Sequence, residues 1–150
     1  MPVNKYALEI LEPKKFALAT ARDVDISKKH AVEIFSYIRG KQAVKAEQRL
    51  EEGISMDRAI PFKRFNRWMP HRKGAGYKTG KYPEKASRFI LEVLRNAMAN
   101  AEFKGLSKDK LKIVHASANR SIILPRVKPT GRWKRSDIEL VHLEIALREC

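Results

Sequence analysis

Apolar residues recur along this chain in two periods. In KKHAVEIFSYIRG, Ala31, Ile34, Phe35 and Ile38 fall at i, i+3, i+4 and i+7, which predicts a helix with one buried face. Asp25 or Ser27 stands before it as a cap, and Gly40 suits the left-handed residue that ends it. The stretch from Lys41 to Glu52 predicts a second, shorter helix with Ala43, Ala46 and Leu50 inward and Gly53 as its stop. The third is the longest. Ala86, Phe89, Ile90, Val93, Leu94, Ala97, Met98 and Ala101 keep helical spacing over four turns. Pro83 fits its first position, where a missing N–H costs nothing, and Gly105 ends it. Such a stripe reads as core, not as a cofactor site.

The other period is two. FALATARDVDI, residues 16–26, predicts an extended segment with its alternation weakened by alanines. LKIVHASANRSIILP and DIELVHLEIALRE predict two more strands, the second with Val141, Leu143, Ile145 and Leu147 on one face. PRVKPTGR joins them, with Pro125, Pro129 and Gly131 to make the reversal. The pair is therefore expected to be an antiparallel hairpin over residues 111–147 with its tip at 125–132. Fully extended, residues 111–128 reach roughly 50–60 Å, against a radius of gyration near 15 Å for a domain of this size. The hairpin must protrude, and a lone two-stranded ribbon is marginal in water. The expected fold class is α+β, with three helices packed on a small antiparallel sheet and a long protruding β-hairpin. Residues 1–150 read as a single domain, with residues 54–82 as a basic, aromatic insertion. No internal repeat or linker interrupts them.

Charge changes the picture from fold to partner. The 150 residues carry 32 Lys plus Arg against 17 Asp plus Glu, a net charge of +15. Residues 60–82 hold seven of these cations and residues 119–136 hold six, and neither stretch contains an acid. Together they account for +13, leaving a scaffold of +2 with two basic projections. Such segregation implies a polyanion as partner. No apolar run approaches the roughly 20 residues a bilayer span needs, so no membrane insertion is expected. MPVNKYALEILEPKK lacks the pattern of a signal peptide. A single cysteine, Cys150, excludes an internal disulfide framework and a multi-cysteine metal site. A reduced, cytoplasmic protein is the expectation.

Catalytic patterns do not emerge. His30, His71, His115 and His142 are scattered and form no HExxH pair, although His115 and His142 can face each other across the hairpin. HRKGAGYKTGK is not a Walker loop, and no Ser-His-Asp set is recognisable. Glu47, Glu51 and Glu52 read as solvated helix carboxylates. Neither cofactor, metal nor enzymatic activity is expected. What does emerge is RNA-binding chemistry. Phe62, Phe65, Trp68, Tyr77 and Tyr82 are interleaved with Lys63, Arg64, Arg67, Arg72, Lys73, Lys78 and Lys81. Cations neutralise phosphates, and planar side chains stack on unpaired bases; some of these aromatics must instead pack the segment onto the scaffold. The ribbon adds Arg120, Arg126, Lys128, Arg132, Trp133, Lys134 and Arg135, and the ends of the first helix add Lys28, Lys29, Arg39 and Lys41. The alternative is an architectural DNA-binding protein that uses a basic β-ribbon, as a symmetric dimer. The ribbon's length favours a thick folded RNA over a duplex.

The order of these features resembles a known family. A strand, a helix ending in IRGK (Ile38 to Lys41), a long helix carrying NAMANAE (Asn96 to Glu102) and a basic hairpin with Gly131–Arg132 at its turn are similar to the universal large-subunit ribosomal protein twenty-two family, seventeen in eukaryotic naming. The resemblance covers about residues 14–148, and PFKRFNRW…GYKTGKYPEKAS looks like the insertion of its archaeal and eukaryotic branch. It implies a structural, non-catalytic component of the large subunit, with the globular part near the opening of the polypeptide exit tunnel and the hairpin lining the tunnel wall. The implied partners are large-subunit ribosomal RNA in several domains, neighbouring large-subunit proteins and the nascent polypeptide, with no obligate homo-oligomer. Carried onto this chain, the tunnel tip is Pro125, Arg126, Val127, Lys128, Pro129, Thr130, Gly131 and Arg132. Many members have a tip richer in arginine; here it reads LPRVKPTGR.

Overall fold

The computed structural model describes residues 15–72, 78–128 and 134–150. Chain order runs β1 (Phe16–Val24), α1 (Lys28–Ile38), α2 (Ala43–Ile54), β2 (Ile60–Pro61), β3 (Gly80–Lys81), α3 (Glu84–Phe103), a 3₁₀ turn at Lys108–Lys110, β4 (Leu111–Leu124) and β5 (Ile138–Glu149). The α+β class, the three helices and the antiparallel hairpin are as the sequence predicts.

Glycine placement explains two helix ends. Gly40 has φ +79°, and its N–H donates to the Ile113 carbonyl at 2.8 Å. The Ile113 N–H returns a bond to the Lys41 carbonyl at 3.0 Å, so the α1–α2 turn is stitched to β4. Gly105 has φ +75°, and the Leu106 N–H reaches back to the Ala101 carbonyl at 3.0 Å, a Schellman closure of α3. Gly53 behaves otherwise than expected. It does not stop α2, which continues to Ile54, and it is buried with the Ile60 side chain close against it. Ile54, the first residue of the segment 54–82 expected as an insertion, is therefore the last residue of α2. Pro83 also shifts by one place: it precedes the first residue of α3, and its carbonyl accepts from the Ser87 N–H at 2.9 Å.

The main sheet has the order β1-β5-β4, antiparallel throughout. Val141, Leu143, Ile145 and Leu147 of β5 are all buried, beneath Ile34, Phe35, Ile38, Leu50, Ile90 and Leu94 of the helices. α3 lies against β1 and β5, and α1 against β4. Phe89 departs from the expected stripe: it sits at the rim of α3 and is 37% exposed, while Leu91 and Ser87 are buried. α2 is tied to α3 by Arg95, whose guanidinium bonds Glu47 at 2.7 Å and Glu51 at 2.6 Å. These carboxylates are thus partnered across two helices and not merely solvated.

Two bulges define where the ribbon leaves the body. β1 is irregular between Ala21 and Val24, opposite residues 141–143 of β5, and β4 between Arg120 and Ile123, opposite the adjoining residues 139–141. Past this level β1 ends, and β4 and β5 continue alone to an isolated bridge between Val127 and Arg135. β5 ends at Glu149, the last residue of the predicted strand DIELVHLEIALRE. The register also separates the two strand histidines: His115 lies opposite Ala146 and His142 opposite Asn119, four residues apart along each strand. They do not face each other. Among the expected tip residues, Pro129, Thr130, Gly131 and Arg132 lie outside the described residues.

The two glycines make opposite predictions. An added Cβ at Gly53 meets Ile60 at 3.4 Å, an ordinary contact. Gly53→Ala is expected to raise stability by about 0.5–1 kcal/mol through helix propensity. Gly40→Ala meets open space but must hold φ +79° and is expected to lose about 1–2 kcal/mol. Urea unfolding midpoints of the two variants check both signs.

Candidate nucleic-acid interface

The basic insertion is held at its root by a two-stranded sheet and a buried carboxylate. Ile60 pairs with Lys81 and Pro61 with Gly80. The Phe62 N–H donates to the Thr79 carbonyl at 3.1 Å, and the Thr79 hydroxyl donates to the Phe62 carbonyl at 2.7 Å. The ladder extends outward through a His71–Thr79 bridge and an Arg72 N–H bond to the Lys78 carbonyl at 2.9 Å. Ile60 and Phe62 are buried, so of the five aromatics Phe62 packs onto the scaffold.

Glu33 is the centre of this root. It is 2% exposed on α1, a residue type seldom buried. Its carboxylate accepts three consecutive backbone N–H groups: Lys63 at 3.0 Å, Arg64 at 2.7 Å and Phe65 at 2.6 Å. Burying a carboxylate costs several kcal/mol unless hydrogen bonds replace its water, and here they come from the start of the basic segment. Sequence periodicity misses this role, since Glu33 falls outside the apolar stripe and looks solvated. The readable signal is a second stripe. His30, Glu33 and Tyr37 stand at i, i+3 and i+7, and each meets polar or aromatic groups outside the core. His30 packs edge-on against Phe62 with ring centres 5.6 Å apart. The Tyr37 ring lies under the Lys41 ammonium at 3.4 Å. Burial lowers the Lys41 pKa, and the charges of Arg49 and Lys63 push the same way. Lys41 and the insertion thus share one basic surface. Lys29 joins it, 5.9 Å from the Phe65 ring.

The other expected cations fall into distinct groups. Lys63, Arg64, Arg67, Arg72, Lys78 and Lys81 are exposed, and among the described residues none has an ion-pair partner. Lys28 is half-buried at the start of α1. Arg39 is exposed but spends one guanidinium N–H on the Ala116 carbonyl at 2.5 Å, which ties α1 to β4. On the ribbon, Arg126, Lys128 and Lys134 are exposed, whereas Arg120 is paired with Glu139 and Arg135 with Asp137 at 3.0 Å. Two ribbon charges are therefore neutralised by acids just past the acid-free stretch. Lys73, Tyr77, Arg132 and Trp133 lie outside the described residues. Sequence reasoning also misses a further basic recess, a cavity of about 480 Å³ lined by Lys41, Lys45, Lys110 and Lys112 together with Asp109 and Cys150. It exists because the α1–α2 turn docks on the start of β4, a contact with no local signature.

Trp68 stands out by its backbone. It is the third residue of a turn closed by the Met69 N–H on the Asn66 carbonyl at 3.2 Å, and its φ is +61°. That place favours Gly or Asn. A side chain there costs about 1–2 kcal/mol, and the indole is 90% exposed.

A Ser, a His and an Asp do meet where the ribbon leaves the sheet, but not as a nucleophile set. The Asp23 N–H donates to His142 Nδ1 at 3.2 Å, and the Ser121 hydroxyl donates to the Asp23 carboxylate. The serine bonds the acid and not the histidine, so no base activates it. The arrangement is a clasp from β1 to β4 over β5. Among the described residues no group of three His, Cys, Asp or Glu side chains can hold a metal ion, and no helix is long and apolar enough to cross a membrane.

A basic, aromatic insertion rooted on a helix and a basic ribbon projecting from a three-stranded sheet find their match in one family, whose model, ribosomal protein L22p/L17e, fits residues 19–148. The chain belongs to that family. Among similar proteins is the large ribosomal subunit protein uL22 of Methanocaldococcus jannaschii, 41% identical over 148 residues, 97% of this chain and 94% of that one. Those of Archaeoglobus fulgidus (45% over 132 residues, 86% and 85%) and Methanococcus aeolicus (40% over 141 residues, 92% of each) are further relatives. The L22p/L17e chain is thus of the archaeal type, as the insertion suggested. Membership makes it a structural protein of the large ribosomal subunit, cytoplasmic and not an enzyme.

The root of the insertion in this L22p/L17e protein can be tested at two residues. Glu33→Ala leaves three amide donors without their acceptor and should cost about 2–4 kcal/mol, with faster hydrogen exchange at the amides of residues 63–65; Glu33→Gln should lose less. His30 has its pKa lowered, first by burial and then by the Lys81 charge. Below its ordinary value near 6.5 the unfolded chain takes up a proton that the folded one resists. Stability should therefore fall as pH drops from 6.5 toward the lower folded value. His30→Gln should flatten that fall, as measured by unfolding midpoints at pH 7.5 and 5.5.

Proposed function

We propose that this protein binds large-subunit ribosomal RNA through its two basic projections, with the globular body near the opening of the polypeptide exit tunnel and the hairpin along the tunnel wall. The observation that carries the reading is the contrast between cations. On the body, Arg49, Lys85, Arg88 and Arg95 are each paired with a carboxylate. On the insertion, Lys63, Arg64, Arg67, Arg72, Lys78 and Lys81 are exposed with no such partner among the described residues. Free cations on a rigid root favour a regular polyanion, since no ordering is lost when phosphates arrive. Lys28, Lys29, Arg39 and Lys41 extend this surface across α1, and the Lys45, Lys110 and Lys112 recess extends it to the base of β4.

The ribbon supports the same reading in another way. Ile122, Ile123, Leu124 and Val127 are exposed at 43–56% where β4 and β5 run alone. A two-stranded ribbon with apolar side chains in water needs surroundings that cover it, and a cleft in a large folded RNA with neighbouring proteins provides them. Arg126, Lys128 and Lys134 then meet phosphates along the ribbon, and the tip at residues 125–132 is the part offered to a nascent polypeptide.

Binding to purified large-subunit RNA, measured against salt concentration, tests the RNA contacts. Each phosphate contact removed flattens the log–log slope by roughly 0.7–0.9. Replacing Lys63, Arg64, Arg67 and Arg72 together with Ala should flatten it by about 3, whereas replacing Lys85 and Arg88 should leave it nearly unchanged. Equal effects of the two sets, or tighter binding to duplex DNA than to the RNA, would reject the reading. For tunnel placement, a cross-linker on Arg126→Cys in a Cys150→Ser background should capture ribosomal RNA or nascent peptide in translating ribosomes. Capture of neither removes the ribbon from the wall.

A further inference from the structure

Trp68 combines three properties that no packing within the chain explains. Its backbone occupies the left-handed region, at φ +61°, in a turn position that glycine or asparagine fills without strain. Its indole is 90% exposed. Its position is nevertheless fixed from both sides: Glu33 holds the amides of residues 63–65, and on the far side the Gly80 N–H bonds the Pro70 carbonyl at 3.2 Å while Arg72 pairs with Lys78. A large apolar ring is thus presented to solvent at a defined place, in a conformation disfavoured for its own backbone.

We infer that Trp68 is a stacking platform for one unpaired nucleobase of the bound RNA. This rests on the RNA-binding reading above and names the group recognised at that site. The surroundings select the ligand. Arg67 holds its guanidinium over one face of the ring, 5.8 Å from the centre, which leaves the other face for a base, and Arg64, Arg72 and Lys78 are exposed nearby in sequence. A protein partner docks on an aromatic set among apolar neighbours that exclude water; here Trp68 is the lone exposed aromatic among the described residues of the segment, and Arg64, Arg67 and Arg72 are exposed on both sides of it in sequence, together with Asn66, Pro70 and His71. A base offers a flat apolar face joined to phosphates on either side, which matches one ring flanked by positive charge. A base inside a duplex has both faces covered by its neighbours, so the partner must be a loop, a bulge or an extruded nucleotide.

The experiment compares the full chain with Trp68→Asn and Trp68→Tyr. Asparagine tolerates the left-handed backbone and removes the ring; tyrosine keeps a ring. Three measurements are made: thermal unfolding of the free protein, affinity for purified large-subunit ribosomal RNA and for a fully paired RNA duplex at one fixed salt, and chemical probing of base accessibility in the ribosomal RNA. Trp68→Asn is expected to raise the unfolding midpoint by about 2–4 °C and to weaken ribosomal RNA binding by about 5- to 100-fold, with duplex binding unchanged. One unpaired base protected by the parent chain and by Trp68→Tyr should become reactive with Trp68→Asn. Ribosomal RNA binding equal to that of the parent, with no base losing protection, overturns the inference while leaving the RNA-binding reading intact. A lowered unfolding midpoint in Trp68→Asn overturns it too, because the ring would then hold the fold. Failure of the parent chain itself to bind the RNA rejects the underlying reading, and the inference with it.

Discussion

β5 lies between β1 and β4, so its backbone groups are the ones through which both other strands of the main sheet are held. One face of the same strand, through Val141, Leu143, Ile145 and Leu147, meets the helices. A central strand with both edges bonded and one face buried has little freedom of register, since a one-residue slip would turn its apolar set to water. The demand placed on β5 is double. Within the body it must be core, and beyond the body, paired only with β4, it must be one half of a projecting arm. The bulges at Ala21/Val24 and Arg120/Ile123 mark the change. Bulges twist and redirect strands, and the Asp23–His142–Ser121 clasp ties all three strands at that level. The arm's direction is set where its support ends.

The insertion is anchored by the opposite kind of physics. Apolar contacts at Ile60 and Phe62 bring it to α1, but they do not orient it. Orientation comes from Glu33, whose two oxygens take three amide hydrogens in a row. A buried carboxylate accepts only a particular geometry, and its loss is costly, so the residues just after Phe62 have one position relative to the helix. The side chains of those same residues, Lys63 and Arg64, are thereby aimed outward. Internal acid and external cations are two ends of one device: the carboxylate consumes backbone donors and leaves the side-chain charges available. This is how an acid in the body serves a strongly basic surface without neutralising it.

Much of this architecture is legible in the order of residues alone. The three helices, the antiparallel pair of β4 and β5 and the segregation of positive charge into two stretches follow from spacing and composition. Helical and strand periods are local, and each is strong enough to survive packing. The departures are local too. Gly53 has the composition of a helix stop, yet it lies within α2, buried beside Ile60 with room for a Cβ, so left-handed freedom is not what it supplies. Phe89 shares the helical spacing of the core stripe, but it stands at the rim, where the neighbouring elements do not reach.

What the sequence by itself determined is where the chain is helical, where it is extended, and where positive charge accumulates, because periodicity and charge are properties of neighbours along the chain. What only the tertiary structure decided is which of those charges are free. Arg120 and Arg135 are paired with Glu139 and Asp137 across or beside the ribbon, Arg39 is spent on a sheet carbonyl, and Lys110 and Lys112 meet Lys41 and Lys45 around one recess although the two pairs are far apart in sequence. Glu33 has the local pattern of a solvated acid and is a buried anchor. Trp68 has the local pattern of any loop aromatic and is fixed, exposed and strained. Whether an ionisable or aromatic group is available to a ligand depends on what lies within a few ångströms of it, and in a folded chain those neighbours come from distant segments whose register, bulges and turns no local pattern encodes.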